Sequence, residues 1–188
     1  MTREPPLLET PRLRLRLGRP PDIPAIIDYY RRNRDHLAPY MPARPAGFYT
    51  PEFWRGRLGT HQREFTDDRS VRLFVFAAGD EGRVIGTVSF TEFCRGPLQA
   101  CYLGYTLDHA EQGRGLMTEA LVVAIAYVFD ELKLHRIMAG YVPTNERSAN
   151  VLRRLGFTVE GYARDYLLLN GRWRDHILTS LVHPDWRT

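Results

Sequence analysis

The sequence predicts a mixed α/β (α+β) domain, a mostly antiparallel sheet flanked by helices. Three observations carry this. Strand-like segments come in pairs joined by short turn signals, which are hairpins. One long helix-periodic segment separates two strand signals and supplies a single crossover. No internal repeat, low-complexity tract or linker divides the 188 residues, so residues 1–188 read as one domain.

The elements follow in order. Arg12–Leu17 alternates arginine and leucine, the period of a half-buried strand. Pro20–Pro24 breaks it, and Asp22 is placed to cap a helix running to about Arg34. Leu37–Pro51 is a proline-rich loop that also carries Tyr40, Phe48 and Tyr49. Pro51 opens a second helix to about Phe65, with Phe53, Trp54 and Leu58 on its apolar side. Val71–Ala78 and Val84–Thr91 form a hairpin about Gly79-Asp80-Glu81-Gly82, and Ala100–Leu107 follows the Arg95-Gly96-Pro97 turn. Leu116–Leu132 is the crossover helix, burying Leu121, Ala124, Ile125, Val128 and Phe129. Then come strand Arg136–Val142, helix Glu146–Leu155 stopped by Gly156, and a final hairpin of Val159–Leu169 and Trp173–Val182 about Asn170-Gly171. The order is β-α-α-β-β-β-α-β-α-β-β.

Composition narrows the function. The hydrophobic fraction is 44 %, enough for a sizeable core, but no apolar run approaches the roughly 20 residues of a membrane span. Met1–Leu8 carries Arg, Glu and two prolines in place of an apolar leader, so the expected location is cytoplasmic and no membrane partner is expected. Cys94 and Cys101 match neither a CxxC nor a zinc spacing, and the histidines are scattered, so no metal is expected. The net charge is +4 and the basic excess is nearly all arginine, which suits polyanionic company such as coenzyme phosphates or a ribonucleoprotein, or reflects compositional bias.

The sharpest local feature is Gln112-Gly113-Arg114-Gly115-Leu116-Met117-Thr118, between a strand and the crossover helix. A helix N-terminus offers unpaired N–H groups and partial positive charge to an anion. Gly113 and Gly115 allow close backbone approach to a diphosphate, while Thr118 can add a hydroxyl and Arg114 a charge. The competing reading is a plain glycine turn ahead of an ordinary helix. The loop is neither a Walker A nor a GxGxxG motif.

This loop resembles the Gln/Arg-x-x-Gly-x-Gly/Ala signature of the GCN5-related N-acetyltransferases, with Met117 at the final small-residue position. The second signature of that family, an Asn followed by a helix and Gly-Phe, is matched by Asn145 through Gly156-Phe157. Cys101-Tyr102-Leu103-Gly104-Tyr105, His135–Ala139, Glu160–Ala163, Asp165–Leu168, Trp173–His176 and Pro184-Asp185-Trp186 are similar to the RimJ-type ribosomal-protein alanine N-acetyltransferase branch. The resemblance covers nearly the whole chain and is densest after residue 100.

It implies the GCN5-related acetyltransferase fold and acetyl-CoA as cosubstrate. Transfer goes to the N-terminal alanine of a ribosomal protein, S5 in that branch, with possible contact to ribosomal particles. The state is monomer or homodimer. The implied cofactor contacts are the backbone of Tyr105, Thr106 and Leu107 for pantetheine, Gln112–Thr118 for pyrophosphate, and Asn145, Ser148 and Asn150. The family's usual tyrosine acid falls at Leu152, so the resemblance moves the acid role to Ser148. Asn145 either caps its helix or bonds pantetheine. For the base, Glu160 is first choice and Glu92 second. Asp165, Asp175 and His176 read as structural ties in the last hairpin. Tyr40, Phe48, Trp54, Tyr166 and Trp173 are candidate walls of an acceptor site, with a core role the safer assignment for Trp54 and Trp173. Two other functions fit the same signatures: an acetyltransferase for another amine, and a ribosome-assembly or RNA-contacting factor that only binds acetyl-CoA.

Overall fold

A computed structural model describes residues 4–186, so Met1–Arg3 of the leader reading lie outside the described residues. It contains one eight-stranded sheet in the order β1-β2-β3-β4-β5-β6-β8-β7. The strands are β1 (Leu7–Glu9), β2 (Leu13–Leu17), β3 (Val71–Ala77), β4 (Asp80–Cys94), β5 (Ala100–Leu107), β6 (Arg136–Tyr141), β7 (Thr158–Leu169) and β8 (Arg172–Val182). The helices are α1 (Ile23–Arg32), α2 (Arg34–Leu37), α3 (Pro51–Thr66), α4 (Leu116–Asp130) and α5 (Glu146–Arg154). All neighbours are antiparallel except β5 and β6, which the α4 crossover makes parallel.

Helices cover the sheet on both sides. Alternate residues of β2, β3 and β5, including Leu15, Leu73 and Leu103, pack against α4 and α5 in the larger core. On the opposite face Phe74, Phe76 and Val84 pack under α1 and α3, with Trp54 stacked on Tyr30 at 5.3 Å between ring centres. Trp54 is therefore core, as expected. That second layer stops short of β6–β8 and leaves part of the sheet face open.

Four sequence expectations change. Leu7–Glu9 is a strand, too short for its period to show. The first helix ends at Arg32 and resumes as the short α2 and a 3-10 turn, Ala38–Tyr40. Asp22 precedes α1 but does not cap it through its side chain. Instead its buried carboxylate accepts from Arg16 Nη1 and Nη2 (2.6 and 2.9 Å) and from the Arg19 N–H (2.7 Å). A bidentate guanidinium outcompetes a helix end for a carboxylate. Those donors hold the Asp22 pKa low against the opposing push of burial. Trp173, expected to be core, is 60 % exposed, because it sits opposite Leu168 at the outer end of the β7–β8 hairpin, where no layer covers it.

Candidate active site

β5 and β6 pair only over Ala100↔Arg136, Cys101↔Ile137 and Tyr102↔Met138. Beyond that, β5 stays on β4 as far as Leu107 while β6 stays on β8 as far as Tyr141, so the two strands fork. Alternate peptide groups of Leu103–Leu107 face the fork with no strand to bond. Tyr105 projects to the α5 side, and its hydroxyl lies 2.8 Å from Ser148 Oγ and 3.2 Å from Ser148 O. Burial pushes the Tyr105 pKa up to about 12, so this phenol stays protonated. Thr106 offers only its backbone, because its hydroxyl is engaged by Tyr29 (2.8 Å) and Thr87 (2.6 Å).

The glycine loop runs from the end of β5 into α4. Asp108 Oδ1 accepts from the Ala110 N–H (3.0 Å) and fixes the turn before it. Gly113 and Gly115 have φ of 75° and 73°, the left-handed region in which a side chain is strained. An ideal Cβ on Gly113 meets nothing within 4 Å, so the space above the loop is open. The first helical bond runs from the Glu119 N–H to Gly115 O (3.1 Å), which leaves the N–H groups of Leu116, Met117 and Thr118 free of helix partners. Leu116 and Met117 turn their side chains into the core. That explains the methionine at a small-residue position: its bulk points away from the loop. Arg12, the residue before β2, braces the loop from outside. Its Nη1 donates to Arg114 O (3.1 Å), and its Nε to Glu119 Oε2 (2.7 Å).

The other loop side chains are occupied. Arg114 is exposed and ion-paired to Glu111. Gln112 Nε2 lies 2.9 Å from His36 Nε2. Burial, with His109 and Arg147 nearby, lowers the His36 pKa, and a neutral ring can accept from the amide. Asn145 Oδ1 accepts from the Ser148 N–H (3.2 Å), so Asn145 caps α5 while still lining the cleft described below. Asn150 Oδ1 accepts from Arg153 Nη2 (2.7 Å), outside that cleft. Leu152, where the family's usual tyrosine would stand, is buried in the core.

On the uncovered sheet face, a cleft of about 1240 Å³ joins the fork to α3. Tyr40, Phe48, Trp54 and Tyr166 line it, and so do Ser148, Glu92 and Glu160. Glu160 sits at a bulge in β7 with its carboxylate ion-paired to Arg136, which holds its pKa below the usual carboxylate range. The first-choice base is thus a firmly charged carboxylate of lowered basicity, not a free one. Glu92 has φ 55° at the irregular end of β4 and no ion-pair partner among the described residues. Asp175 accepts from Tyr162 and from the Asp165 N–H (2.8 Å), tying the hairpin as expected. Three partners escaped sequence reasoning: the Tyr105 hydroxyl, His36 and Arg12. Tyr105 carried a signal, its position on the α5-facing side of a strand, but nothing in the sequence pairs it with Ser148.

A forked sheet beside a helix N-terminus opened by two left-handed glycines defines an acyl-CoA-binding transferase site. The chain belongs to the acetyltransferase (GNAT) domain family, whose model matches residues 12–158. It is 46 % identical to the [ribosomal protein uS5]-alanine N-acetyltransferase of Escherichia coli K12, over 95 % of this chain and 92 % of that one. Among solved structures it resembles the ribosomal-protein-S5-alanine acetyltransferase of Vibrio fischeri, with a TM-score of 0.91 and 42 % identity over 97 % and 99 % of the two chains. It also resembles Mycobacterium smegmatis RimJ in complex with CoA-disulfide, with a TM-score of 0.86 and 26 % identity over 95 % and 86 %. The protein is an N-acetyltransferase that uses acetyl-CoA. Its own residues fit that cosubstrate: free helix N–H groups under an open glycine loop suit a pyrophosphate, and the unpaired edge of β5 suits the amides of a pantetheine arm.

Proposed function

We propose that this enzyme acetylates the N-terminal alanine of ribosomal protein S5, with Ser148 and Glu160 handling the protons. The observation that carries the mechanism is the meeting of the fork and the acceptor cleft at Ser148, whose Oγ is backed by the Tyr105 hydroxyl at 2.8 Å. The 46 % identity with the E. coli uS5 enzyme, over 95 % of this chain and 92 % of that one, supports the acceptor.

Bound acetyl-CoA supplies an acetyl thioester with a thiolate leaving group. Leu116–Thr118 N–H groups and the Gly113–Gly115 backbone hold its phosphates, and the β5 edge at Tyr105–Leu107 holds the arm and polarises the carbonyl. With the Tyr105 O–H donating to Ser148 Oγ in place of Ser148 O, the serine proton is free to turn to the departing sulfur. The acceptor α-amine has a pKa near 8, so about a tenth of it is neutral at pH 7. Glu160 takes its proton through a water, and the unpaired Glu92 adds negative potential that draws in the ammonium. Asn145 orients Ser148 by capping α5. Asn150 is a minor contact at most.

Kinetics on an alanine-terminated S5 peptide test this. Ser148→Ala should lower kcat about a hundredfold with KM little changed, as for loss of a general acid. Glu160→Gln should lower kcat/KM about tenfold. Unchanged turnover in both variants removes these roles. Turnover of other amines but not of the peptide removes the acceptor, and cofactor binding without any turnover leaves a binding factor only.

A further inference from the structure

The cleft does not end where the chemistry requires it to end. Beyond the β5 fork it continues over the sheet to α3, where Arg57, His61, Arg69 and Arg72 line it. Three of these four are arginines, and two carboxylates of the cleft wall, Glu64 and Glu92, stand on the same side. Glu92, whose neighbour Phe93 donates its N–H to Arg69 O (3.2 Å), makes no ion pair with them. Glu64 answers one of the arginines: it accepts from Arg72 Nε (3.1 Å) and from Ser70 Oγ (2.8 Å). Arg57 and Arg69 are exposed and have no ion pair among the described residues. The terminal nitrogens of Arg72 likewise carry no hydrogen bond to a described residue. His61 is 8 % exposed, and its Nδ1 is buried without a partner. Burial and the neighbouring Arg72 and Arg57 lower its pKa to about 3, so it is a neutral ring that adds hydrogen-bonding capacity and no charge.

The strand register gives the distance from this end to the fork. Arg72 pairs with Ser89, and Ser89 with Gly104, so the three side-chain positions share one row across β3, β4 and β5. Two strand spacings are about 10 Å. An extended peptide advances about 3.3–3.6 Å per residue. A chain whose amine lies at the fork therefore reaches the row end at roughly its third or fourth residue.

We infer that Arg57, Arg69 and Arg72 form a carboxylate subsite that binds an acidic side chain at about the third or fourth residue of the acceptor peptide. The inference rests on the reading above that the acceptor is a peptide N-terminus. A guanidinium with free terminal nitrogens matches a carboxylate in a planar, two-bonded fit. The subsite makes the cleft a device for choosing among alanine N-termini, which the cofactor half cannot distinguish.

The test uses the full chain and alanine-terminated peptides that differ only by Glu, Gln or Lys at the third or fourth residue. Peptide affinity is measured by calorimetry and turnover by steady-state kinetics. The Glu peptide should bind roughly tenfold more tightly than the Gln peptide, with the difference in KM and not in kcat, and the gap should narrow with salt. The surface double variant Arg57→Gln/Arg69→Gln should lose the preference, and Arg57→Glu/Arg69→Glu should turn it toward Lys. Equal affinity of the wild type for Glu and Gln peptides overturns the subsite. So does competition by a short RNA at fixed ionic strength without any peptide discrimination, which would assign the arginines to nucleic acid. If no alanine peptide is turned over, the acceptor reading fails, while the affinity ranking still decides the subsite.

Discussion

The two halves of the site are built from different material. The proposed cofactor half, at the β5 fork and the start of α4, offers backbone: left-handed glycines, helix N–H groups and an unpaired strand edge. Its side chains are mostly tied up in the protein itself, as Arg114 is with Glu111, Gln112 with His36 and Thr106 with Tyr29. The proposed acceptor half offers side chains contributed by β3, β4, β7, α3 and the Leu37–Pro51 loop, several of them without ion-pair partners among the described residues. A backbone site accepts one ligand shape and tolerates sequence drift at its surface. A side-chain site can be retuned by single substitutions. The contrast explains how one fold keeps a fixed cosubstrate while its acceptors vary.

That contrast can be broken or sharpened directly. Among changes to the cofactor half, the largest effect on acetyl-CoA affinity is expected at Gly115. Gly115→Val forces a β-branched residue into the left-handed region, at a cost of about 1–2 kcal/mol or more, and acetyl-CoA affinity by calorimetry should fall tenfold or more. An unchanged affinity would deny the backbone its role.

A smaller effect, on the acceptor side, concerns pH. Arg136 holds the Glu160 pKa below its ordinary value, so Glu160 stays charged as pH falls until that lowered pKa is reached. In the wild type, kcat/KM should rise with pH through the amine pKa near 8 and show no second limb in the range of ordinary carboxylates. Arg136→Gln lets the Glu160 pKa return upward, and a few-fold loss should appear near pH 5 on top of the amine limb. A pH–rate profile identical to the wild type would separate Arg136 from Glu160 in function. The smallest effect is expected at Arg114: exposed and already paired, it should change acetyl-CoA affinity by less than about threefold when replaced by Ala.

The same division governs what the sequence reveals. Gly113, Gly115 and the Asn145–Phe157 signature were legible because backbone geometry demands particular residues at fixed spacing. Most of the sheet was legible too, since Arg12–Leu17 and the hairpins carry a period of two. Leu7–Glu9 was too short for any period. The exposure of Trp173 depended on which layer covers the hairpin end, and the Asp22 partner on a bond between side chains six residues apart that competes with helix capping. The Tyr105–Ser148 contact spans 43 positions, and the arginine end of the cleft joins α3 to β3. Contacts of this kind arise only when the sheet is assembled, and no local pattern announces them.

The fork has a consequence for dynamics. Amides of Leu103–Leu107 that face it have no strand to shield them, although the same strand is held firmly by β4 on its other edge. In hydrogen exchange, β5 should therefore behave as two populations, with alternate amides slow and fast. Acetyl-CoA bound along the open edge as proposed should slow the fast set and leave the other unmoved.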